Sequence, residues 1–364
     1  MASFPNNFNF IIKEKLYFFF LLFICAVFIM SFFLGSYHMR ETSEPSLDEK
    51  LKKIEKIADS RETPAYLQKR LSENPVLGVI SETFMAAALF SVFAGVFINV
   101  ILIRKTMRGE NWIPPGDFRP EVRWGIGDVF RVIILFVFYG LCLNFIFLLF
   151  RNAIPQELRI NFLLILHTVI MDAWVVGLIF YFLRKVQKDA PLALGFHRAV
   201  DWTREIWIGV KAYFAALPSF MVIVLLLMLI SNLFHYEPSA HPLVGIFIEE
   251  GERAPWLITL SLFLACILGP IVEEIFFRGF LYPAIRKHVG IGWASVSTAA
   301  LFALIHENAF AFLPVFFLGL VLSYLYEKRG NLVACASLHI IHNSVFIFYF
   351  FLMKAVLLGD KALS

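Results

Sequence analysis

Residues 256–280 read WLITLSLFLACILGPIVEEIFFRGF, an apolar run whose charged residues are Glu273, Glu274 and Arg278. A helix needs about 20 predominantly apolar residues to cross a bilayer, and this run is long enough. Charged side chains at such a depth are costly, so where they occur they are a sign of a functional site or of a buried pair. The stretch therefore predicts a membrane-spanning helix that contains residues of a functional site.

The composition extends this prediction to most of the chain. Of the 364 residues, 59% are hydrophobic and 16% are charged, whereas about a quarter of the residues in a soluble domain are charged. Apolar runs of spanning length recur, so we predict an all-α fold, a polytopic transmembrane helical bundle of about nine spans. The predicted spans cover residues 16–36, 77–103, 128–150, 161–183, 206–233, 256–280, 293–312, 314–327 and 333–354. All four cysteines lie in apolar runs, which argues against a disulfide framework and a cysteine-ligated zinc site.

Lysine and arginine alternate between successive loops. The loops after predicted spans two, four, six and eight contain these residues, whereas the loops after spans three, five and seven contain few or none. By the positive-inside rule, this pattern predicts an integral, multi-pass protein with a cytoplasmic N terminus, which we expect in a bacterial plasma membrane. The net charge of +4 follows from this topology and gives no reason to expect a nucleic-acid partner.

The first loop departs from the alternation. Between residues 36 and 76, eight acidic residues balance eight basic ones. Ser46 followed three residues later by Glu49 is typical of a capping box, and Leu47, Leu51 and Ile54 follow at helical spacing. We therefore expect an extracytoplasmic amphipathic helix within this loop, lying on the bilayer or on neighbouring loops.

The ionisable residues of the last third form a set. Glu274 and Arg278 are spaced i, i+4 on the predicted helix, so Arg278 neutralises Glu274. Glu273 points about 100° away and is left without that partner, which suits a general base. Two further polar groups follow on later spans: His306 near the end of predicted span seven, and His339 with Asn343 on one face of the last span.

Helix geometry places two of these groups at one level. A tight turn is predicted at residues 290–292, and both Glu273 and His306 lie about 20 Å from it along antiparallel helices. His339 lies about 12 Å from the next turn, at residues 328–331. If the hairpin at 290–292 projects some 10 Å below the bilayer, we expect the three groups to share one layer.

Three motifs on successive helices resemble those of a known family. Glu-Glu-x-x-x-Arg at 273–278, Phe-x-x-x-His at 302–306 and His-x-x-x-Asn at 339–343 are similar to the motifs of the CPBP family. This family of intramembrane proteases includes the type II CAAX prenyl endopeptidases and the bacterial Abi proteins. The resemblance covers about residues 255–350.

The resemblance implies an intramembrane endopeptidase that acts on a membrane-associated protein or peptide within the lipid bilayer. Its implied roles are Glu273 as the residue that activates water, His306 as its partner, His339 and Asn343 as the oxyanion-stabilising pair, and Glu274 and Arg278 as structural support. The expected organisation is an N-terminal transmembrane helix at 1–37, an extracytoplasmic amphipathic helical loop at 38–76, transmembrane helices without a recognised motif at 77–250, and a CPBP/Abi-like catalytic transmembrane core at 255–355.

Other interpretations stay open at this point. Glu273, His306 and His339 have the chemistry of three zinc ligands with an open fourth position, although the chain lacks a His-Glu-x-x-His motif. A non-catalytic membrane protein of the same fold, such as a bacteriocin immunity factor or a membrane-protein partner, would also retain the helices. A proton-coupled transporter is less favoured because the sequence shows no internal repeat. Asp172 and His167, spaced i, i+5, are interpreted as packing or cavity-lining groups.

Overall fold

The computed structural model describes residues 14–38, 64–116, 121–150, 159–186, 189–195, 200–234 and 255–358, all of them helical or in turns and loops. The helices are α1 (Lys15–His38), α2 (Pro64–Glu73), α3 (Pro75–Met107), α4 (Ile126–Phe150), α5 (Arg159–Val186), α6 (Ala190–Ala193), α7 (Trp202–Phe234), α8 (Pro255–Phe263), α9 (Gly269–Glu274), α10 (Tyr282–Leu304), α11 (Ala309–Arg329) and α12 (Val333–Leu358). The predicted polytopic helical bundle is confirmed. The predicted amphipathic helix after Ser46 lies outside the described residues.

Seven helical stretches of the described residues are long and apolar enough to cross a membrane. One of them, Trp256–Leu304, has 49 residues and is broken at Gly290, where φ is 77° and ψ is 179°. Gly290 therefore makes the predicted turn between spans six and seven. The predicted boundary between spans seven and eight is wrong: the helix ends at Leu304 and the next begins at Ala309, because the Asn308 side chain caps the new helix.

The loops rich in basic residues gather at one end of the bundle. The Gly116 amide donates to the Lys328 carbonyl at 2.9 Å, and Arg329 forms a buried ion pair with Glu205 at the start of α7. Glu14, which precedes α1, pairs with Arg131 at 2.9 Å. The N-terminal end of α1 thus lies with the basic loops.

The opposite end of the bundle contains α2. This short helix packs against α12, and nearby the rings of Phe84 and Phe348 lie 5.2 Å apart. Helix α2 therefore lies at the end away from the basic loops. This arrangement agrees with the alternation of basic loops, while the side of the membrane on which each end lies stays a prediction.

Two π-helical segments, Leu264–Leu268 and Ile275–Leu281, lie on either side of α9. A π-helical turn accommodates an extra residue and is often found at a functional site. Glu273 and Glu274 are the last two residues of α9. The local winding around these carboxylates therefore differs from the regular α-helix that the sequence predicts.

A close helix contact positions α11 behind this segment. A Cβ atom on Gly319 would lie 2.8 Å from the Ala299 Cβ, so a larger residue would push α11 and α10 apart. Small residues allow membrane helices to approach in this way. The contact brings the Gly319 carbonyl within hydrogen-bond reach of the Arg278 side chain, at 3.3 Å.

Candidate active site

A buried ion pair forms the base of the site. The side chains of Glu274 and Arg278 are each 1% exposed, and the Arg278 Nη1 atom lies 2.8 Å from the Glu274 Oε1 atom. The second Arg278 nitrogen, Nη2, donates to the Gly319 carbonyl. The guanidinium also lies 4.5 Å from the centre of the Phe302 ring, which adds a cation–π interaction. These contacts offset the cost of removing two charges from water.

His339 of α12 lies next to this ion pair, so that Arg278, Glu274, His339 and Glu273 follow one another in a row. Its Nδ1 atom lies 2.9 Å from Glu274 Oε1, and its Nε2 atom lies 3.7 Å from Glu273 Oε2. A carboxylate accepts hydrogen bonds, so Nδ1 of His339 is the donor to Glu274. Glu274 therefore fixes the ring with Nε2 towards Glu273.

Glu273 lies at the open end of this row. Its side chain is 32% exposed, whereas His339 is 2% exposed. The Glu273 Oε2 atom has no hydrogen-bond partner among the described residues. Asp172 of α5, half-buried, is close enough for the two carboxylates to interact electrostatically. His167 instead bonds to the Gly140 backbone, so Asp172 and His167 have separate surroundings.

His306 does not lie in a helix, contrary to its predicted place in span seven. It occupies the turn between α10 and α11, and its Nδ1 atom lies 2.7 Å from the Phe302 carbonyl oxygen. No hydrogen bond of the described residues joins His306 to Glu273. The next residue, Glu307, has a φ of 50°, a left-handed conformation that is uncommon outside glycine.

Phe302 contacts residues of all three motifs. Its fully buried ring lies 4.9 Å from the His306 ring and 5.6 Å from the His339 ring, centre to centre, as well as against Arg278. Phe302 belongs to the second motif but had no predicted role of its own. Its position four residues before His306 was the available signal.

Asn343 contacts a different part of the site. Its Nδ2 atom donates to the Ala265 carbonyl at 3.0 Å, in the first π-helical segment. Asn343 thereby ties α12 to the residues that precede Glu273. His342 instead packs against Phe220 and Phe346, with ring centres 4.9 and 4.7 Å away.

The alternative zinc site can be tested on these contacts. Among the described residues, no three or more His, Cys, Asp or Glu side chains are arranged to hold a metal ion. The Nδ1 atoms of His306 and His339 are bonded to Phe302 and Glu274, which leaves Nε2 of each ring as the nitrogen that could bind a metal. Glu273, His306 and His339 are not grouped as three ligands in this arrangement, and the zinc interpretation stays a hypothesis.

Comparison with known proteins supports the resemblance. The family model of Rce1-like type II CAAX prenyl endopeptidases matches residues 255–345, which contain all three motifs. The membrane-embedded CAAX protease MroQ of Staphylococcus aureus is 30% identical over 99 residues, or 25% of this chain and 40% of that protein. The UPF0177 protein YxdF of Lactococcus lactis is 33% identical over 84 residues, or 22% of this chain and 44% of that protein.

These matches cover less than half of either relative. No solved structure matches the chain significantly. The family resemblance expected from the three motifs is confirmed over residues 255–345.

Proposed function

We propose that the chain is an intramembrane endopeptidase that hydrolyses a peptide bond in a membrane-associated protein or peptide. The observation that carries this proposal is the Glu273 carboxylate: one of its oxygens is buried, has no hydrogen bond from any described residue, and lies beside the anchored His339. A base in this setting is free to accept a proton from water. The match to a protease family supports the same reaction class.

In the proposed reaction Glu273 takes a proton from water, and the water oxygen bonds to the scissile carbonyl carbon. Negative charge then develops on the carbonyl oxygen, where fixed donors stabilise it. The carbon–nitrogen bond breaks as the proton passes from Glu273 to the departing amine. Glu273 thereby returns to its starting form.

His339 and Asn343 are the proposed oxyanion donors. Nδ1–H of His339 is committed to Glu274, so His339 donates to an oxyanion through Nε2 only in the form that carries a hydrogen on both ring nitrogens. Asn343 has two amide hydrogens, and its bond to Ala265 uses one of them. The other is available to a substrate carbonyl.

His306 is proposed to assist Glu273 from the turn after α10. A carbonyl oxygen can only accept, so Nδ1 of His306 carries the hydrogen that is bonded to Phe302. The neutral ring then has an unprotonated Nε2, which can take or relay a proton. Because no direct bond joins His306 to Glu273, the proposed relay runs through the attacking water.

The proposed location is a bacterial plasma membrane, with the basic end of the bundle in the cytoplasm. The ion pair of Glu14 and Arg131 supports this orientation for the N terminus, because it places the start of α1 among the basic loops. The positive-inside rule then assigns that end to the cytoplasm.

The test compares the membrane proteomes of cells that carry wild type or Glu273→Gln. Glutamine keeps the size of the side chain but is not basic, so turnover should fall by about 10² to 10⁴ and an uncleaved precursor should accumulate. Glu82→Gln is the matched control, because it removes an exposed carboxylate from α3. Unchanged processing in the Glu273→Gln cells would refute catalysis.

A further inference from the structure

A concave site separate from the candidate active site lies between α3, α7 and α11. Its volume is about 310 Å³, at the low end for small-molecule pockets. Its lining is mostly apolar, with Asn99 and Ser219 as polar members. We call it the α3–α11 groove. It is lined by Asn99, Leu102, Trp112, Ile113, Ala212, Ala215, Ala216, Ser219, Phe317, Leu320, Val321, Tyr324 and Leu325.

Each of the two outer walls of the groove continues into a lysine. On α3, the lining residues Asn99 and Leu102 are followed by Lys105 at the same three-residue spacing. On α11, the lining residues Leu320 and Tyr324 are followed by Lys328 at four-residue spacing. Residues three or four apart share a helix face, so both lysines extend the groove walls.

The two lysines lie at the same end of the groove. Helix α3 ends at Met107, and the loop that follows it bonds to the end of α11, from the Gly116 amide to the Lys328 carbonyl at 2.9 Å. Helices α3 and α11 therefore run in the same direction. The groove thus has an apolar interior and a mouth with two positive charges.

Aromatic rings frame this mouth. Trp112 stacks on Tyr324 with ring centres 5.4 Å apart, and the Lys328 Nζ atom lies 5.7 Å from the Tyr324 ring centre. Tryptophan and tyrosine are enriched at the level of lipid headgroups. The nearest acidic side chain on α11, Glu327, is engaged by Arg286 at 2.7 Å and does not neutralise Lys328.

We propose that the α3–α11 groove binds one anionic phospholipid, with an acyl chain between the helices and its phosphodiester headgroup at Lys105 and Lys328. Charge complementarity argues for the anionic headgroup, and the small volume suits a single chain better than a partner helix. This inference is independent of the proposed protease activity.

A bound lipid in this position would restrict the movement of α11, which contacts the candidate active site. Phe317 and Leu320 of the groove lie on either side of Gly319 in α11, and the Gly319 carbonyl holds Arg278. Filling the groove limits the movement of α11 at that point. Lipid binding should therefore raise the melting temperature of the purified protein.

The test is native mass spectrometry of the full chain taken from nanodiscs that contain equal amounts of phosphatidylglycerol and phosphatidylcholine of the same chain length. One lysine near the membrane surface changes the affinity for an anionic lipid by a factor of about five. The singly bound wild type should therefore favour phosphatidylglycerol by roughly 25-fold, and Lys105→Glu/Lys328→Glu should abolish the preference.

Two further variants separate the headgroup from the chain. Lys185→Glu is the matched control, since Lys185 also lies over a tyrosine ring, that of Tyr181 at 4.4 Å, but neither residue lines the α3–α11 groove; it should keep the preference. Ser219→Phe places a ring in the groove and should reduce binding of both lipids. The proposal is overturned if wild type shows no preference, if the double variant keeps it, or if Ser219→Phe retains lipid as wild type does.

Discussion

The Nδ1 atom of His339 lies 2.9 Å from the Oε1 atom of Glu274, and both side chains are almost fully buried. The same Glu274 oxygen also accepts from Arg278 at 2.8 Å. One carboxylate oxygen therefore joins the first and third motifs. Glu274 does more than balance Arg278, since it also sets the direction of the histidine that faces Glu273.

Removal of Arg278 should damage both folding and activity. In Arg278→Ala, Glu274 would lose its ion pair within an apolar bundle, and breaking a buried pair costs about 3–5 kcal/mol. We expect low accumulation in the membrane and a lower melting temperature in detergent. Arg278→Lys should restore these only in part, because lysine lacks the second nitrogen that reaches Gly319.

Arg286→Ala provides the comparison for this variant. The side chain of Arg286 is 38% exposed and that of its partner Glu327, at 2.7 Å, is 12% exposed, so this pair is only partly buried and should contribute less than the Glu274–Arg278 pair. Its loss should lower accumulation and melting temperature less than the loss of Arg278 does. If Arg278→Ala and Arg286→Ala melt at the same temperature as wild type, the buried row is not important for stability.

Asn343 should affect turnover more than substrate binding. Asn343→Ala removes one proposed oxyanion donor, and such a loss costs about 10² to 10³ in turnover. The rate and KM would be measured on a substrate identified from the proteome comparison. Ser344→Ala is the control, because Ser344 also reaches the first π-helical segment, through Cys266. Equal effects of the two substitutions would mean that Asn343 serves only to tie the helices together.

Elemental analysis should find no stoichiometric zinc in purified wild type, and chelators should have no lasting effect on turnover. The reason is that the described side chains do not form a three-ligand set. His339→Ala should then have the same metal content as wild type. One zinc per wild-type chain that is lost in His339→Ala would overturn the glutamate mechanism and restore the zinc interpretation.

Cysteine labelling should establish the orientation in the membrane. Ser72 lies on α2, at the end away from the basic loops, and Glu110 follows α3 at the basic end; both are exposed. A membrane-impermeant thiol reagent should label Ser72→Cys in intact cells and Glu110→Cys only after lysis. The reverse pattern would show that the orientation is inverted.

The backbone at Glu307 should be strained. Its φ of 50° costs about 1–2 kcal/mol for a residue with a Cβ atom, and glycine adopts this conformation freely. We expect Glu307→Gly to raise the melting temperature and Glu307→Val to lower it. Glu110→Gly, at a loop position without a positive φ, should be neutral or slightly destabilising. A decrease with Glu307→Gly would show that the side chain is required there.

Much of the fold could be predicted because hydropathy and basic loops are properties of long segments. The helical class, the turn at Gly290 and the gathering of basic loops at one end all follow from such patterns. The end of α10 could not be predicted in this way, because the run from Trp293 to Phe312 is apolar throughout most of its length. Asn308, which caps the next helix, was the local sign that a new helix begins there. The apolar run around it favoured one continuous span instead.

The residues that belong to the site could be predicted, but the contacts between them could not. Spacing alone suggests that Arg278 meets Glu274, because both lie on one helix. The bond from His339 to Glu274 and that from Asn343 to Ala265 join different helices, and helix rotation decides them. Rotation near Glu273 depends on π-helical winding, which hydrophobic periodicity does not reveal.

The π-helical segment Leu264–Leu268 has a consequence for how related chains are compared. Each residue of a helix turns the chain by about 100°, so the loss of one residue there would redirect Glu273 relative to α8. All three motifs would still be present in the sequence, and the span would keep its apolar character. A one-residue gap in an alignment at this point therefore changes the direction in which Glu273 points, and not only the length of the helix. Two chains with the same motifs can thus differ in whether the motif residues contact one another.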